Sequence, residues 1–159
     1  MSVTVEKREI PRGSRDLLDA AWELKERIRR EYGLLRQRRR FFANAYERTT
    51  VHAYVTADDH LVGFAAARHD GYILFLAVDP DYQGEGFGER LVGAVAQTSD
   101  SVSCHARVSN ERALGFYRHL GFEIVREIDN YYEDGEGAYY LRLGEREGFR
   151  ERLSEYLRR

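Results

Sequence analysis

The segment Gln83-Gly84-Glu85-Gly86-Phe87-Gly88 links an apolar run to a helical pattern. Glycines let a backbone approach an anion closely, and the first N–H groups of a helix lack internal acceptors, so such a turn can hold a phosphate or pyrophosphate. Gln83 adds a side-chain donor. The turn is not a dinucleotide fingerprint, because no acid ends the next strand at the required distance, and it lacks the Gly-Lys-Ser/Thr of a P-loop. A glycine-rich corner is also a common packing device, so it identifies nothing by itself. Three further residues can handle protons. Tyr117, with an ordinary phenol pKa of about 10, can donate one, and His105, with an ordinary value of about 6.5, can accept one at neutral pH. Tyr72 is a second phenol. Read by spacing alone, Tyr117 is a core residue of a helix, Asn110 an N-cap, and His105 a structural strand histidine. Cys104 is the only cysteine; it sits among strand formers as a buried, inert thiol, with a nucleophile as the competing reading.

The elements that must position these residues follow from periodicity. Val3 to Ile10 alternates as a strand. Ser14 is an N-cap candidate for a helix with Leu17, Ala21, Leu24 and Ile28 on one face, ending near Tyr32 and Gly33. A second helix carries Phe42, Ala45 and Tyr46. Val51 to Thr56 and Leu61 to Arg68 form a hairpin around Ala57-Asp58-Asp59-His60. Tyr72 to Val78 is a nearly continuous apolar strand, expected to be central. After the glycine turn comes a helix burying Leu91, Val92 and Val95, then a strand from Ser101 to Val108. Asn110 opens a helix with Ala113, Phe116, Tyr117 and Leu120 on one face, and Gly121 caps it. Phe122 to Ile128 and Ala138 to Leu143 are strands joined through residues 130–137. Phe149, Leu153, Tyr156 and Leu157 predict a C-terminal helix. The expected fold is α/β of the mixed kind: one domain over residues 1–159, with a core at 3–144 and a helix at 145–159. About seven strands form a mixed, mostly antiparallel sheet flanked by helices.

Composition narrows the function classes. In 159 residues, 43% apolar and 13% aromatic content supports a packed core and excludes disorder or a fibrous repeat. No apolar run approaches the roughly 20 residues of a membrane helix, and residues 1–7 read as a strand, not a signal peptide. A soluble, cytoplasmic protein with no membrane partner is expected. A net charge of −2 gives no general case for nucleic acid. No histidine or cysteine cluster suggests a metal. The arginines of Arg36-Gln37-Arg38-Arg39-Arg40 are a solvated helix start, or else a site for an acidic substrate terminus or a cofactor phosphate.

With those residues in view, a family resemblance becomes specific. Gln83 to Gly88, after a strand ending in Val-Asp-Pro, resembles the Gln/Arg-x-x-Gly-x-Gly/Ala acetyl-CoA motif of the GNAT superfamily of N-acetyltransferases. Asn110 to Phe122 is similar to its second signature, Asn-x-x-Ala-x-x-x-Tyr-x-x-x-Gly-Phe. The resemblance covers Leu61 to about Leu143. It implies acetyl-CoA as cosubstrate and no metal, with the backbone of Leu76 and Val78 pairing with the pantetheine arm and Ala77 between them. It further implies Gln83, Gly84, Gly86 and Gly88 around the pyrophosphate, with Glu85 and Phe87 in the same turn. Asn110 and Ala113 would lie along the pantetheine, and Tyr117 would face the cofactor sulfur as the acid.

Within that superfamily, the chain resembles the protein N-terminal acetyltransferases, including the ribosomal-protein type. Tyr72 and His105 stand where one eukaryotic branch places a tyrosine and a histidine as its base pair: His105 five residues before Asn110, Tyr72 eleven before Gln83. Residues 130–139 are similar to the Tyr-Tyr-x-Asp-Gly-Glu-Asp-Ala hairpin whose tyrosines close over the substrate peptide, which makes Tyr131 and Tyr132 substrate residues; Gly137 replaces the second acid. The loop from Tyr32 to Arg40 lacks the Phe-Pro element usual in those enzymes, so their specificity pocket does not transfer. The expected substrate is a peptide or protein N-terminus. The alternatives are a small amine and a silent acetyl-CoA-binding sensor, and the chain is expected to be a monomer or a homodimer.

Overall fold

The computed structural model describes residues 4–144; the expected C-terminal helix around Phe149 and Leu153 lies outside the described residues, as does Val3. The elements run β1 (Val5–Ile10), α1 (Leu18–Tyr32), α2 (Arg39–Glu47), β2 (Thr50–Thr56), β3 (Leu61–Ala67), β4 (Ile73–Val78), a short 3-10 turn (Pro80–Tyr82), α3 (Phe87–Ala96), β5 (Val102–Arg107), α4 (Glu111–Leu120), β6 (Glu123–Ile128) and β7 (Ala138–Leu143). This is the mixed α/β order read from the sequence.

The seven strands form two hydrogen-bonded sheets, ordered β1-β2-β3-β4 and β5-β7-β6, with every ladder antiparallel. Among the described residues a single parallel bridge, Tyr72 to Ser103, joins them, supported by Ser103 N–H donating to the Gly71 carbonyl at 3.0 Å. β4 is therefore central among the seven strands yet is the free edge of its own sheet beyond Tyr72. That split differs from the single continuous sheet expected from sequence, because β4 and β5 diverge after the bridge.

Two apolar layers hold the strands. Helices α1 and α2 bury Leu24, Ile28, Phe42 and Tyr46 with Phe64 and Phe75 on one face. Helices α3 and α4 bury Leu91, Val92, Leu114 and Leu120 with Val62, Val102 and Leu141 on the other. Phe42 is fully buried, with its ring centroid 4.8 Å from that of Phe75 and 5.7 Å from that of Trp22.

Helix boundaries follow from local chemistry. Asn110 caps α4 through a side-chain bond from Ala113 N–H at 3.1 Å, and Gly121 ends it at φ 101°, a conformation that favours glycine. Gly33 ends α1 in the same way. The start of α1 differs from expectation. Its N-cap is Leu17, at φ 61°, while Ser14 closes a turn by accepting from Asp16 N–H. The buried stripe accordingly begins at Leu18 and includes Lys25. The Lys25 ammonium donates to the Gln37 carbonyl and lies 4.5 Å from the Trp22 ring centroid; burial pushes its pKa down. This buried charge fixes the loop between α1 and α2.

Candidate active site

The divergence of β4 and β5 opens a cleft of about 2330 Å³. All the candidate residues named from the sequence line it: Tyr72, Leu76, Ala77, Val78, Gln83 to Gly88, His105, Asn110, Ala113, Tyr117, Tyr131 and Tyr132. The structure brings together residues that are up to 60 positions apart in sequence.

At one end lies the glycine turn. Gly84 and Gly86 have φ of 83° and 85°, and α3 makes its first return bond from Arg90 N–H to the Gly86 carbonyl. The N–H groups of the three residues before Arg90 have no acceptor within the helix and are available to an anion. A Cβ on Gly88 would meet the Phe116 ring at 3.0 Å, so that ring packs directly on the turn. The Gln83 side chain accepts from Arg112 through its oxygen, and its amide nitrogen is not used by that bond.

Asp79 holds the turn in place, a role sequence reasoning missed. Its carboxylate is 3% exposed and binds Arg27 of α1 at 2.8 Å, His60 of the β2–β3 turn at 2.7 Å and the Asp81 N–H at 2.8 Å. The Val-Asp-Pro sequence marks the acid, but nothing in the chain order shows partners 19 and 52 residues away.

The middle of the cleft is the free edge of β4, where unpaired backbone groups can bind an extended, amide-bearing arm as an added strand. Tyr117 approaches from α4. It is 7% exposed and packs on Phe116 and Phe122. Burial, reinforced by Cys104, holds its phenol well above the usual range, so it stays protonated throughout the working pH range. The Cys104 thiol is itself pushed up to about 12 by burial, which suits the inert reading and not a nucleophile.

The other end gathers an aromatic cluster around His105. The Tyr72 hydroxyl lies 2.6 Å from His105 Nδ1. The Tyr131 ring stacks on the imidazole at 4.5 Å and 11°, and the nearby Tyr131 phenol adds to the upward push on the Tyr72 pKa. Tyr132 stands edge-on to Tyr131 at 5.0 Å, and its own phenol is pushed up to about 12 by burial. Burial drives the His105 pKa below its ordinary value, with the Arg126 charge acting the same way. Burial also raises Tyr72 far above the phenol range. The pair is thus a neutral imidazole and a neutral phenol sharing one proton.

Ion pairs hold the loops that flank this end. Arg107 binds Asp134 at 2.9 Å and Glu136 at 2.8 Å, and its guanidinium lies 4.0 Å from the Tyr132 ring centroid. Asp134 also accepts from Arg36 at 2.9 Å, joining the α1–α2 loop to the β6–β7 loop. Of the arginine cluster, Arg39 and Arg40 do begin α2, and Arg39 pairs with Asp19. Arg36 instead reaches across the cleft, a contact that no local pattern reveals.

The comparisons with known proteins follow this geometry. The model of the Acetyltransferase (GNAT) family matches residues 14–122. An N-alpha-acetyltransferase of Caenorhabditis elegans is 36% identical over 104 residues, which is 54% of this chain and 57% of that protein. A ribosomal protein bS18-alanine N-acetyltransferase of Salmonella typhimurium is 29% identical over 128 residues, covering 76% of this chain and 84% of that one. The chain thus spans little more than half the length of the worm protein and most of the Salmonella one. The crystal structure of the ribosomal-protein-S18-alanine N-acetyltransferase from Escherichia coli has the same fold, with a TM-score of 0.71 at 24% identity over 88% of this chain and 93% of that one. Because the family match takes in the glycine turn, the free β4 edge and the helix bearing Tyr117, this chain belongs to the Acetyltransferase (GNAT) family.

Proposed function

We propose that this chain transfers an acetyl group from acetyl-CoA to the α-amine of a peptide or protein N-terminus. The observation that carries the reading is the packing of Tyr131. It stacks on His105, which Tyr72 contacts at 2.6 Å, so the hairpin suited to covering a peptide is built into the same cluster as the proton acceptor. The relatives from C. elegans and S. typhimurium, which act on N-termini by name, support the same substrate class.

The cleft fits the cosubstrate. The glycine turn binds its pyrophosphate, the edge of β4 from Leu76 to Val78 pairs with its amide-bearing arm, and Asn110 and Ala113 flank that arm from α4. Bound there, acetyl-CoA supplies an acyl group activated as a thioester. The protein supplies the proton handling. The amine must be neutral to attack. An α-amine, with a pKa of about 8, is neutral to a sizeable extent at pH 7, whereas a lysine near ~10.4 is not. With the neutral imidazole protonated at Nε2, the Tyr72 O–H donates to His105 Nδ1, 2.6 Å away. A proton arriving at the Tyr72 oxygen from the amine can therefore pass to the imidazole in one relay. The Tyr117 hydroxyl, lining the same cleft, would face the departing sulfur. Its phenol holds its proton more tightly than a thiol of ordinary pKa ~8.5 does, so it assists by donating a hydrogen bond.

Two expected results test this reading. Tyr117→Phe should lower kcat about tenfold to a hundredfold with little change in acetyl-CoA affinity, measured by steady-state kinetics and titration calorimetry. Equal rates for the two proteins would remove Tyr117 from the reaction. Tyr131→Ala and Tyr132→Ala should each raise the KM for a peptide about tenfold while leaving acetyl-CoA binding intact. A parallel loss for small amines and peptides would mean that the hairpin does not recognise a peptide backbone.

A further inference from the structure

His105 stands in a row of side chains that crosses β6, β7 and β5 and reaches the residue before β4. Arg126 of β6 is opposite Tyr140 of β7, and Tyr140 is opposite His105 of β5. Residues opposite each other in a sheet project from the same face. Their side chains touch: the Arg126 guanidinium lies 5.0 Å from the Tyr140 ring centroid, and the Tyr140 ring 5.1 Å from that of His105. Tyr72, just before β4, completes the row through its 2.6 Å contact with His105.

The register that makes this row is irregular. Ile124 pairs with Leu141, but the next residue of β7, Tyr140, pairs with Arg126 and not with Val125. Val125 is the extra residue of a β-bulge. Because side chains alternate between faces, a regular ladder would set Arg126 opposite Tyr139, on the other face. The bulge turns Arg126 onto the face of His105, which is a known use of bulges beside active sites.

We propose that Arg126 is a positioning residue for the base, its fixed positive charge holding His105 in the neutral, proton-accepting form. The inference rests on the reading of His105 given above. The groups facing the imidazole from each packed element are consistent with it. The bridge residue before β4 contributes Tyr72, the β6–β7 loop Tyr131 with Tyr132 behind it, and β7 Tyr140; all are phenols. Arg107, two residues along β5, is matched by Asp134 and Glu136. Arg68, 4.7 Å from the Tyr72 ring centroid, is held by both oxygens of Asp70 at 3.1 and 2.7 Å. Glu123 and Arg142 face each other in the adjacent row. Beyond burial, Arg126 is the charge that disfavours the imidazolium.

The test is an NMR titration of the His105 ring in the full chain, assigned with His105→Ala, for wild type, Arg126→Gln and Arg126→Lys. Arg126 is exposed on the edge strand β6, so neither substitution disturbs the core. Removing the positive charge should move the His105 midpoint up by about half a pH unit. Arg126→Lys should restore the wild-type midpoint, and the difference between wild type and Arg126→Gln should shrink as salt is added. An unchanged midpoint in Arg126→Gln, or a lysine variant that titrates like the glutamine one, would overturn the proposal. The acid limb of kcat/KM should move with the midpoint. A limb that stays fixed while the NMR midpoint moves would uphold the role of Arg126 and remove His105 as the base.

Discussion

His105→Ala is expected to lower kcat for a peptide about a hundredfold at pH 7, the usual scale for losing a positioned general base. Tyr72→Phe should lower it less, because the imidazole remains but loses the phenol that hands it the proton. The pH dependence follows from the direction of the shift. Burial and Arg126 push the His105 pKa below its ordinary value, so the base is available above that lowered pKa and is lost as pH falls through it. Wild-type kcat/KM should therefore fall on the acid side with a limb below the usual histidine range, and the limb should vanish in His105→Ala. The amine's own titration remains in both proteins and sets the alkaline rise. A full pH–rate profile for the two proteins checks this, and an identical acid limb in both would return His105 to a structural role.

Gly71→Ala is expected to cost on the order of 3 kcal/mol of stability and to abolish most activity. Gly71 sits at φ 85°, where an alanine is strained, and a Cβ there would lie 2.0 Å from the Ser101 carbonyl oxygen and 3.0 Å from the Ser99 Cβ. The nearest atom is backbone, so relief would require the chain at Ser101 to move. The position also matters for function. The Gly71 carbonyl accepts the Ser103 N–H, and Tyr72 makes the only bridge between the two sheets among the described residues. Displacing it would change the angle at which β4 and β5 part and move Tyr72 from His105. Chemical denaturation should show a lowered midpoint, and activity measured well below that midpoint should still be reduced. A variant as stable as wild type would contradict this account of the bridge.

Much of this architecture is legible in the sequence because its signals are local. Alternation marks the strands, Asn110 and Gly121 bracket α4, and the glycines between Gln83 and Gly88 announce a turn that suits an anion. The start of α1 is not legible in this way: Ser14 offers a cap oxygen, but the chain uses it in a turn and enters the helix through a left-handed Leu17. What stayed hidden depends on contacts between distant segments. The buried Asp79 finds Arg27 and His60, Lys25 points inward to a loop carbonyl, and Arg36 meets Asp134 98 residues away. The bulge at Val125 is hidden for a related reason. Nothing in Ile124-Val125-Arg126 signals an extra residue, and only pairing with β7 shows which face Arg126 takes.

The central claim is that this cleft acetylates an α-amine, and the most direct measurement is release of free thiol from acetyl-CoA with a panel of acceptors. The panel holds peptides with free or blocked N-termini, each with and without an internal lysine, alongside small amines. The account predicts turnover with free N-termini in the panel, loss of that turnover on blocking them, and no rescue by the internal lysine. Turnover that survives blocking, or that occurs with small amines alone, would contradict it.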